Sequence, residues 1–489
     1  MTAIAEKAEV SSPLRKSLIV TLVCVVHLCA EAGIGQQLPI MRSVGSRFRL
    51  HNADSLSSSV AAYTAALGMF ILAAGRLGAI FGHKQIFILG LVLSAIWSVI
   101  AGASFYSTQS LFILSRAFQG LGAAFTMPTG LKLLRATRPN GTHKTIVYTL
   151  YSTMSPIGLI VGALGASVLD KETWWPWVYW AFSITLVVLG VIGCFVIPSA
   201  AQASSLPQGP RAVALELDVA GMLTGIMSLG MFGFAWGQAQ VVGWQHAYLW
   251  IVLILSVMLM TLFVTIETCY APKPLIPRSV QTPEILWILI VIGCGWACFG
   301  IWIFYGFQFV ERLRSASPLL ATAYFVPAAV VGCFTAVTTR FILVRFRPHE
   351  VFCAAILAMT SGCILICTMP VYQTYWRQLF PSVVVMAWGA YTSVPVAMLI
   401  ISEAVNKKHG GMAASLVWMA AHYGMALGLG VAATVDRSVM RGVLTASSRL
   451  RGYRAAYWTG FGLAGFGLLV CLALALASSR GKVPARRPS

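Results

Sequence analysis

Charge is scarce in this chain, and acid scarcest of all: 10% of its 489 residues are charged and only 14 are Asp or Glu. Soluble domains carry roughly 25% charged residues, so too little polar surface exists here for a soluble domain of useful size. The absences continue among the motifs. There is no GxxxxGK[ST] phosphate loop and no soluble domain to hydrolyse a nucleotide, which argues against direct ATP drive. Nothing resembling HExxH, a GxSxG elbow or clustered His and Asp points to a membrane-embedded enzyme. Eleven cysteines are present, but without CxxC or metal-ligand spacing. They read as buried free thiols, and neither metal nor cofactor is expected.

What the chain has instead is apolar length. It is 58% hydrophobic, with a mean hydropathy of +0.81. Runs able to cross about 30 Å of hydrocarbon as helices recur almost from end to end. They predict an all-α polytopic membrane protein of about 14 spans, roughly at 17–40, 57–80, 86–105, 108–134, 145–169, 177–198, 215–237, 247–268, 284–309, 318–341, 350–370, 377–402, 412–435 and 455–478. The first run, SLIVTLVCVVHLCA, begins like a signal peptide after Arg15 and Lys16. It continues through Glu31, Gln36 and Gln37 to Pro39 without a clear small-residue cleavage site, so it reads as the first span.

The net charge of +20 lies scattered in short loops rather than on a polar domain with interleaved aromatics, which speaks for a lipid bilayer and against nucleic acid. An even span count leaves both termini on one side. With that side cytoplasmic, about 21 Lys and Arg lie inside against about 12 outside, the expected bias. Arg42, Arg47 and Arg49, and the cluster Arg437, Arg441, Arg449, Arg451 and Arg454, run against it. The sequon at Asn140 falls on the cytoplasmic side, out of reach of glycosylation.

Punctuation divides the chain. SAAQASSLPQGPR at 199–211 and CYAPKPLIPRS at 269–279 bracket two spans. The expected order is a cytoplasmic tail (1–16), a six-helix half (17–198), a cytoplasmic linker (199–214), two extra helices (215–268), a second linker (269–283), another six-helix half (284–478) and a basic tail (479–489). Two six-helix halves are the layout of transporters with internal repeats.

Charges within spans are unfavourable by roughly 2.5–3.5 kcal/mol each on insertion scales, so the few present are the first functional candidates. Glu31 lies in the first span with His27 one helical turn before it, stacking both on one face. A carboxylate in low dielectric can load a proton from one side and release it to the other. Arg116 in span four cannot deprotonate; it suits holding a carboxylate or an anionic substrate, or bonding helix carbonyls across the bundle. In span five, SPIGLIVGALGAS spaces Gly158, Gly162 and Gly165 as a small-residue seam for close helix approach. In span nine, Trp302, Tyr305 and Gln308 form a stripe that either lines a cavity or packs the helix. Gln36 and Gln119 join His27 as polar candidates for lining a substrate path.

GRLGAIFGHK at 75–84 sets Gly75, Gly78 and Gly82 with Arg76 and Lys84 between two apolar runs, as a tight cytoplasmic turn would. This stretch, with SRAFQGLGAAF and SPIGLIVGALGAS, resembles the loop, fourth-span and fifth-span motifs of the major facilitator superfamily, in its 14-span drug:proton antiporter branch. FAWGQAQVVGW, PLIP, RSASPLLATAYFVPAAVVG and GGMAASLVWMAAHYGMALGLGVAATV are similar to fungal members of the aminotriazole-resistance type. The likeness covers most of the chain and implies alternating access, with substrate in a central cavity between the halves and protons moving opposite to it; Glu31 and Arg116 are the candidates for that coupling. Three positions depart from the pattern. Ala79 stands where the family has an acid, Glu31 sits about one residue from the usual acid of span one, and Ala163 replaces a proline. The missing acid implies a weaker cytoplasmic latch and a larger inward-open population.

Three functions follow for weighing. The first is proton-coupled efflux of a small drug, toxin or metabolite by a plasma-membrane or vacuolar monomer. The second is proton-coupled uptake of a nutrient or metal chelate. The third is a transport-inactive receptor or scaffold on the same fold.

Overall fold

A computed structural model describes residues 12–49, 54–137, 142–198, 209–405, 410–440 and 445–479. The sequon at Asn140, most of the 199–211 linker, Arg441 and both chain ends lie outside the described residues. Fourteen long helices make up the described chain. They are α1 (Pro13–Gly35), α2 (Asp54–Phe81), α3 (His83–Ala103), α4 (Gln109–Thr137), α5 (Thr142–Glu172), α6 (Pro176–Val196) and α7 (Val219–Val242). The series continues with α8 (Ala247–Thr265), α9 (Pro283–Gln308), α10 (Pro318–Arg345), α11 (Pro348–Cys367), α12 (Leu379–Ala404), α13 (Gly410–Val439) and α14 (Ala446–Ser479).

Helices are what a bilayer demands, because each backbone N–H and C=O in hydrocarbon needs a partner within its own segment. The starts are set locally. Proline opens α1, α6, α9, α10 and α11, where its missing N–H would have no helical partner anyway. Ser12, Thr282 and Ser317 accept the N–H of Arg15, Ile285 and Leu320 and so cap three of these helices. Among the described residues, thirteen helices are long and apolar enough to cross a membrane. Helix α4 is 29 residues long but carries Arg116, Lys132 and Arg135, which lower its hydropathy.

Several boundaries differ from those expected. Helix α1 stops at Gly35, so Gln36 to Pro39 form a turn before a short helix, Met41–Arg47. GRLGAIFGHK is mostly not a loop: α2 runs to Phe81, Gly82 alone breaks the chain at φ 101°, and α3 starts at His83. Helix α13 extends to Val439 and α14 begins at Ala446 rather than 455. Polar turns at a span's end depress hydropathy without breaking the helix. Among the cysteines, all free, Cys194 and Cys269 are exposed rather than buried.

The chain divides into two compact units at Pro277 and Arg278, so α7 and α8 belong with the first six helices. In the first unit α1 packs on α5 and α4, α2 on α4, α3 on α4 and α6, and the α7–α8 hairpin meets α2 through α7. In the second unit α9 packs on α13, α10 on α12, and α11 on α12 and α14. First with fifth, second with fourth, and third with fourth and sixth is the same pairing twice, the mark of an internal repeat. Helix α8 turns Ile251, Ile254, Val257 and Met258 outward, as a lipid-facing surface would.

Candidate functional site

The polar residues of the first unit converge on α1. His27 and Glu31 lie one turn apart on it and both are buried, Glu31 at 3% exposure. The His27 ring stacks on Tyr151 of α5 with centroids 4.1 Å apart. Helix α5 approaches because two of its glycines have no side chain to hold it off. A Cβ on Gly158 would lie 2.3 Å from the Leu28 carbonyl oxygen and 3.0 Å from Glu31 Cβ, and one on Gly162 only 2.4 Å from the Ala32 carbonyl oxygen. Gly165 meets nothing within 4 Å, so it falls outside the seam that its spacing suggested. The Glu31 side chain thus starts from the close α1–α5 contact.

Arg116 stands at the C-terminal end of α1, with no exposed surface. Its Nε donates to Gln37 Oε1 at 2.7 Å, its Nη1 to Gln119 Oε1, and its Nη2 to the Gly33 carbonyl at 2.5 Å. Gly33 O is one of the last carbonyls of α1, where the backbone leaves acceptors open and the helix dipole favours a cation. The guanidinium also lies 4.4 Å from the centre of the Tyr63 ring, and Tyr63 donates to the Ala30 carbonyl at 2.7 Å. Gln37 and Gln119 pass the network on to Ser59 and Ser98. Arg116 therefore ties α4 to the C-terminus of α1 through neutral acceptors, the carbonyl-bonding arrangement weighed beside anion binding. Gln119 belongs to this clamp. Gln36 is buried, and its Nε2 has no hydrogen-bond partner among the described residues. A gap bounded by Tyr63, Gln119, Cys29, Ser94 and Thr126 has room for about one water.

In the second unit the expected stripe is fully buried. Trp302 Nε1 donates to Ser382 Oγ at 2.8 Å, and its ring packs edge-on to Phe325. Tyr305 donates to Asp436 Oδ2 at 3.3 Å and packs against the rings of Tyr453 and Tyr457. These contacts account for both aromatics as internal packing of the unit. Gln308 differs: among the described residues neither end of its buried amide has a hydrogen-bond partner. Among the described residues no His, Cys, Asp and Glu group of three could hold a metal.

The cations of GRLGAIFGHK act as clamps. Lys84 Nζ donates to the carbonyls of Cys194 and Ile197 at 2.8 and 2.6 Å, capping the C-terminus of α6. Arg76 Nε donates to Glu216 O at 3.2 Å, and Nη2 to Lys273 O. Gly78 admits His83 of α3 and Thr129 of α4, where a Cβ would fall 2.7 and 2.8 Å away, whereas a Cβ on Gly75 would make an ordinary 3.8 Å contact with Pro128. Ala79 is exposed.

Gln37, Tyr63 and Asp436 were missed as sequence candidates. Gln37 lies outside the helix and Tyr63 looks like any apolar-span aromatic; only packing brings them to Arg116. Asp436 lay one residue beyond an estimated span end, yet it is fully buried.

The model of the Major Facilitator Superfamily matches residues 21–428. The chain is 42% identical to the low affinity ammonium transporter of Saccharomyces cerevisiae, over 94% of this chain and 88% of that one. It is 37% identical to the efflux pump terJ of Aspergillus terreus, covering 95% and 89%. It is 33% identical to the aminotriazole resistance protein of Saccharomyces cerevisiae, covering 91% and 82%. Among solved structures, the POT family transporter PepTSo shares the fold, with a TM-score of 0.70 at 12% identity over 96% of this chain and 99% of that one. The family match, the paired six-helix pattern and the polar core of α1 agree: the chain belongs to the Major Facilitator Superfamily.

Proposed function

We propose that the protein exports a small amphipathic or toxic molecule from the cell by alternating access, in exchange for protons, as a monomer in the plasma membrane. The observation that carries this reading is Glu31: a carboxylate at 3% exposure inside a membrane helix, set against the α5 seam at Gly158. A carboxylate inside a membrane helix marks an ion pathway, and one that faces each side in turn can take up a proton from one and release it to the other. Arg116 keeps the end of α1 in place while that happens. It supports the coupling through position rather than by carrying the proton, since guanidinium does not deprotonate. Gln36, His27 and Gln308 remain the polar groups suited to substrate contact.

One proton crossing two pH units and 100 mV supplies about 5 kcal/mol. That would sustain a gradient of a neutral solute of roughly a few thousandfold. The similarity to an efflux pump and to a resistance protein favours export. The 42% identity to an ammonium transporter favours a second reading, uptake of a small nitrogenous nutrient.

The test is transport in reconstituted vesicles and in expressing cells challenged with a panel of toxic compounds. Export should collapse with a protonophore, and Glu31→Gln should flatten its pH dependence. Export that persists without a proton gradient, or wild-type pH dependence in the variant, would overturn the coupling. Accumulation inside the cell in place of resistance would select uptake.

A further inference from the structure

Two buried carboxylates meet at the foot of the α7–α8 hairpin. Asp218 joins a short helix, Pro210–Leu217, to α7 in a left-handed conformation at φ 52°, which Asp tolerates better than most residues. It is 6% exposed, and its Oδ1 accepts the Gly221 N–H at 3.2 Å. Glu267, 2% exposed, sits in the π-helical turn Ile266–Tyr270 that follows α8. It folds the following chain back by accepting the N–H groups of Leu275 and Ile276 at 3.0 and 3.1 Å.

The second Asp218 oxygen, Oδ2, comes to Glu267 Oε1, the oxygen that also accepts the Leu275 N–H. A Cβ on Gly221 would lie 2.4 Å from Asp218 Oδ2 and 2.9 Å from Glu267 Oε1, so both oxygens close over the same glycine. The two side chains therefore adjoin, and among the described residues Asp218 Oδ2 receives no donor. Two carboxylates in contact and shielded from water cannot both remain charged, because like charge and desolvation act together against the second anion. One proton between them removes the conflict: the O–H of one acid donates to the carboxylate of the other.

We propose that Asp218 and Glu267 form a proton-binding site, one shared proton clasping the two ends of the α7–α8 hairpin together. Arg76 fastens the same two ends to α2 through the carbonyls of Glu216 and Lys273. Lys273 Nζ lies 2.5 Å from Glu216 Oε2 on the exposed side. The charged and titratable groups on the packed segments are Arg76 of α2, Arg211 and Glu216 of the short helix, and Cys269, Tyr270 and Lys273 after α8. The positive-charge bias expects this end of the hairpin on the cytoplasmic side. With the proton bound, the clasp is closed. As cytoplasmic pH rises and the proton leaves, the two anions repel and the Leu275–Ile276 segment loosens. The site is separate from Glu31 and needs neither substrate nor a gradient to operate.

The test is hydrogen–deuterium exchange of the full-length protein in lipid nanodiscs across pH, corrected for intrinsic exchange. Peptides over 210–218 and 267–277 should lose at least tenfold in protection through one transition as pH rises, while α4 peptides do not. Asp218→Asn and Glu267→Gln, each replacing the shared proton with a fixed amide donor, should abolish the transition. Arg76→Ala should loosen the clasp at every pH without moving its midpoint. Protection of the wild type that is independent of pH would overturn the proposal without reference to any variant. So would a transition surviving in either amide variant that folds.

Discussion

Arg116 is a cation without exposed surface whose three guanidinium nitrogens each meet a neutral acceptor on α1, on the turn after it or on α4 itself. Only a planar fork can serve three directions at once. Arg116→Lys keeps the charge but reaches fewer of these acceptors, leaving the Gln37 and Gln119 amides underbonded. The expected loss is about 2 kcal/mol of stability, because hydrogen bonds to charged groups are worth about 1.5–3 kcal/mol. It would be read as a lowered unfolding midpoint in detergent or lipid. A lysine variant as stable and as active as the wild type would remove the three-way clamp. Lone residues were legible in sequence only as charges in the wrong solvent: Glu31 and Arg116 stood out, but their partners Gln37 and Tyr63 did not. A neutral residue gives no sign of burial or bonding until another helix is laid against it.

At the scale of helices, the same device occurs twice. In the first unit Gly158 and Gly162 admit α1, and in the second Gly424 and Gly428 admit α9. Added Cβ atoms there would lie 2.4 Å from Gly293 O and 2.7 Å from Ala297 Cα. Paired glycines four residues apart let backbones touch where lipid gives no hydrophobic drive for association. Gly162→Ala and Gly428→Ala should each force their helix pair apart, destabilising by roughly 1–3 kcal/mol as overpacking does. Gly165→Ala, with open space around it, should be close to neutral. Thermal unfolding of the three variants checks the contrast, and equal effects at all three sites would refute the seam. Spacing alone placed Gly165 in this seam. The helix did not, because α1 ends at Gly35 and the two axes leave only part of the motif in contact.

Over the whole molecule, fourteen spans would put both termini on one side, and the Lys and Arg bias predicts that this side is the cytoplasm. Epitope tags at both ends should therefore be reached by antibody only after the cell membrane is permeabilised; one tag stained on intact cells would break the topology. The helical architecture, the count of fourteen and the family were determined by the sequence itself. Hydrocarbon permits a backbone only a few solutions, and a run of apolar residues announces the helical one without help from its neighbours. The ends of α1, α13 and α14 escaped, since hydropathy marks the lipid-filling stretch and not the last hydrogen-bonded turn. Only the tertiary structure decided what the polar residues do. It gave Arg116 neutral acceptors, enclosed Trp302 and Tyr305 in their own unit, and brought Asp218 to Glu267 from opposite ends of a hairpin. Those outcomes depend on which helix faces meet, and facing is a property of packed pairs that no single segment encodes.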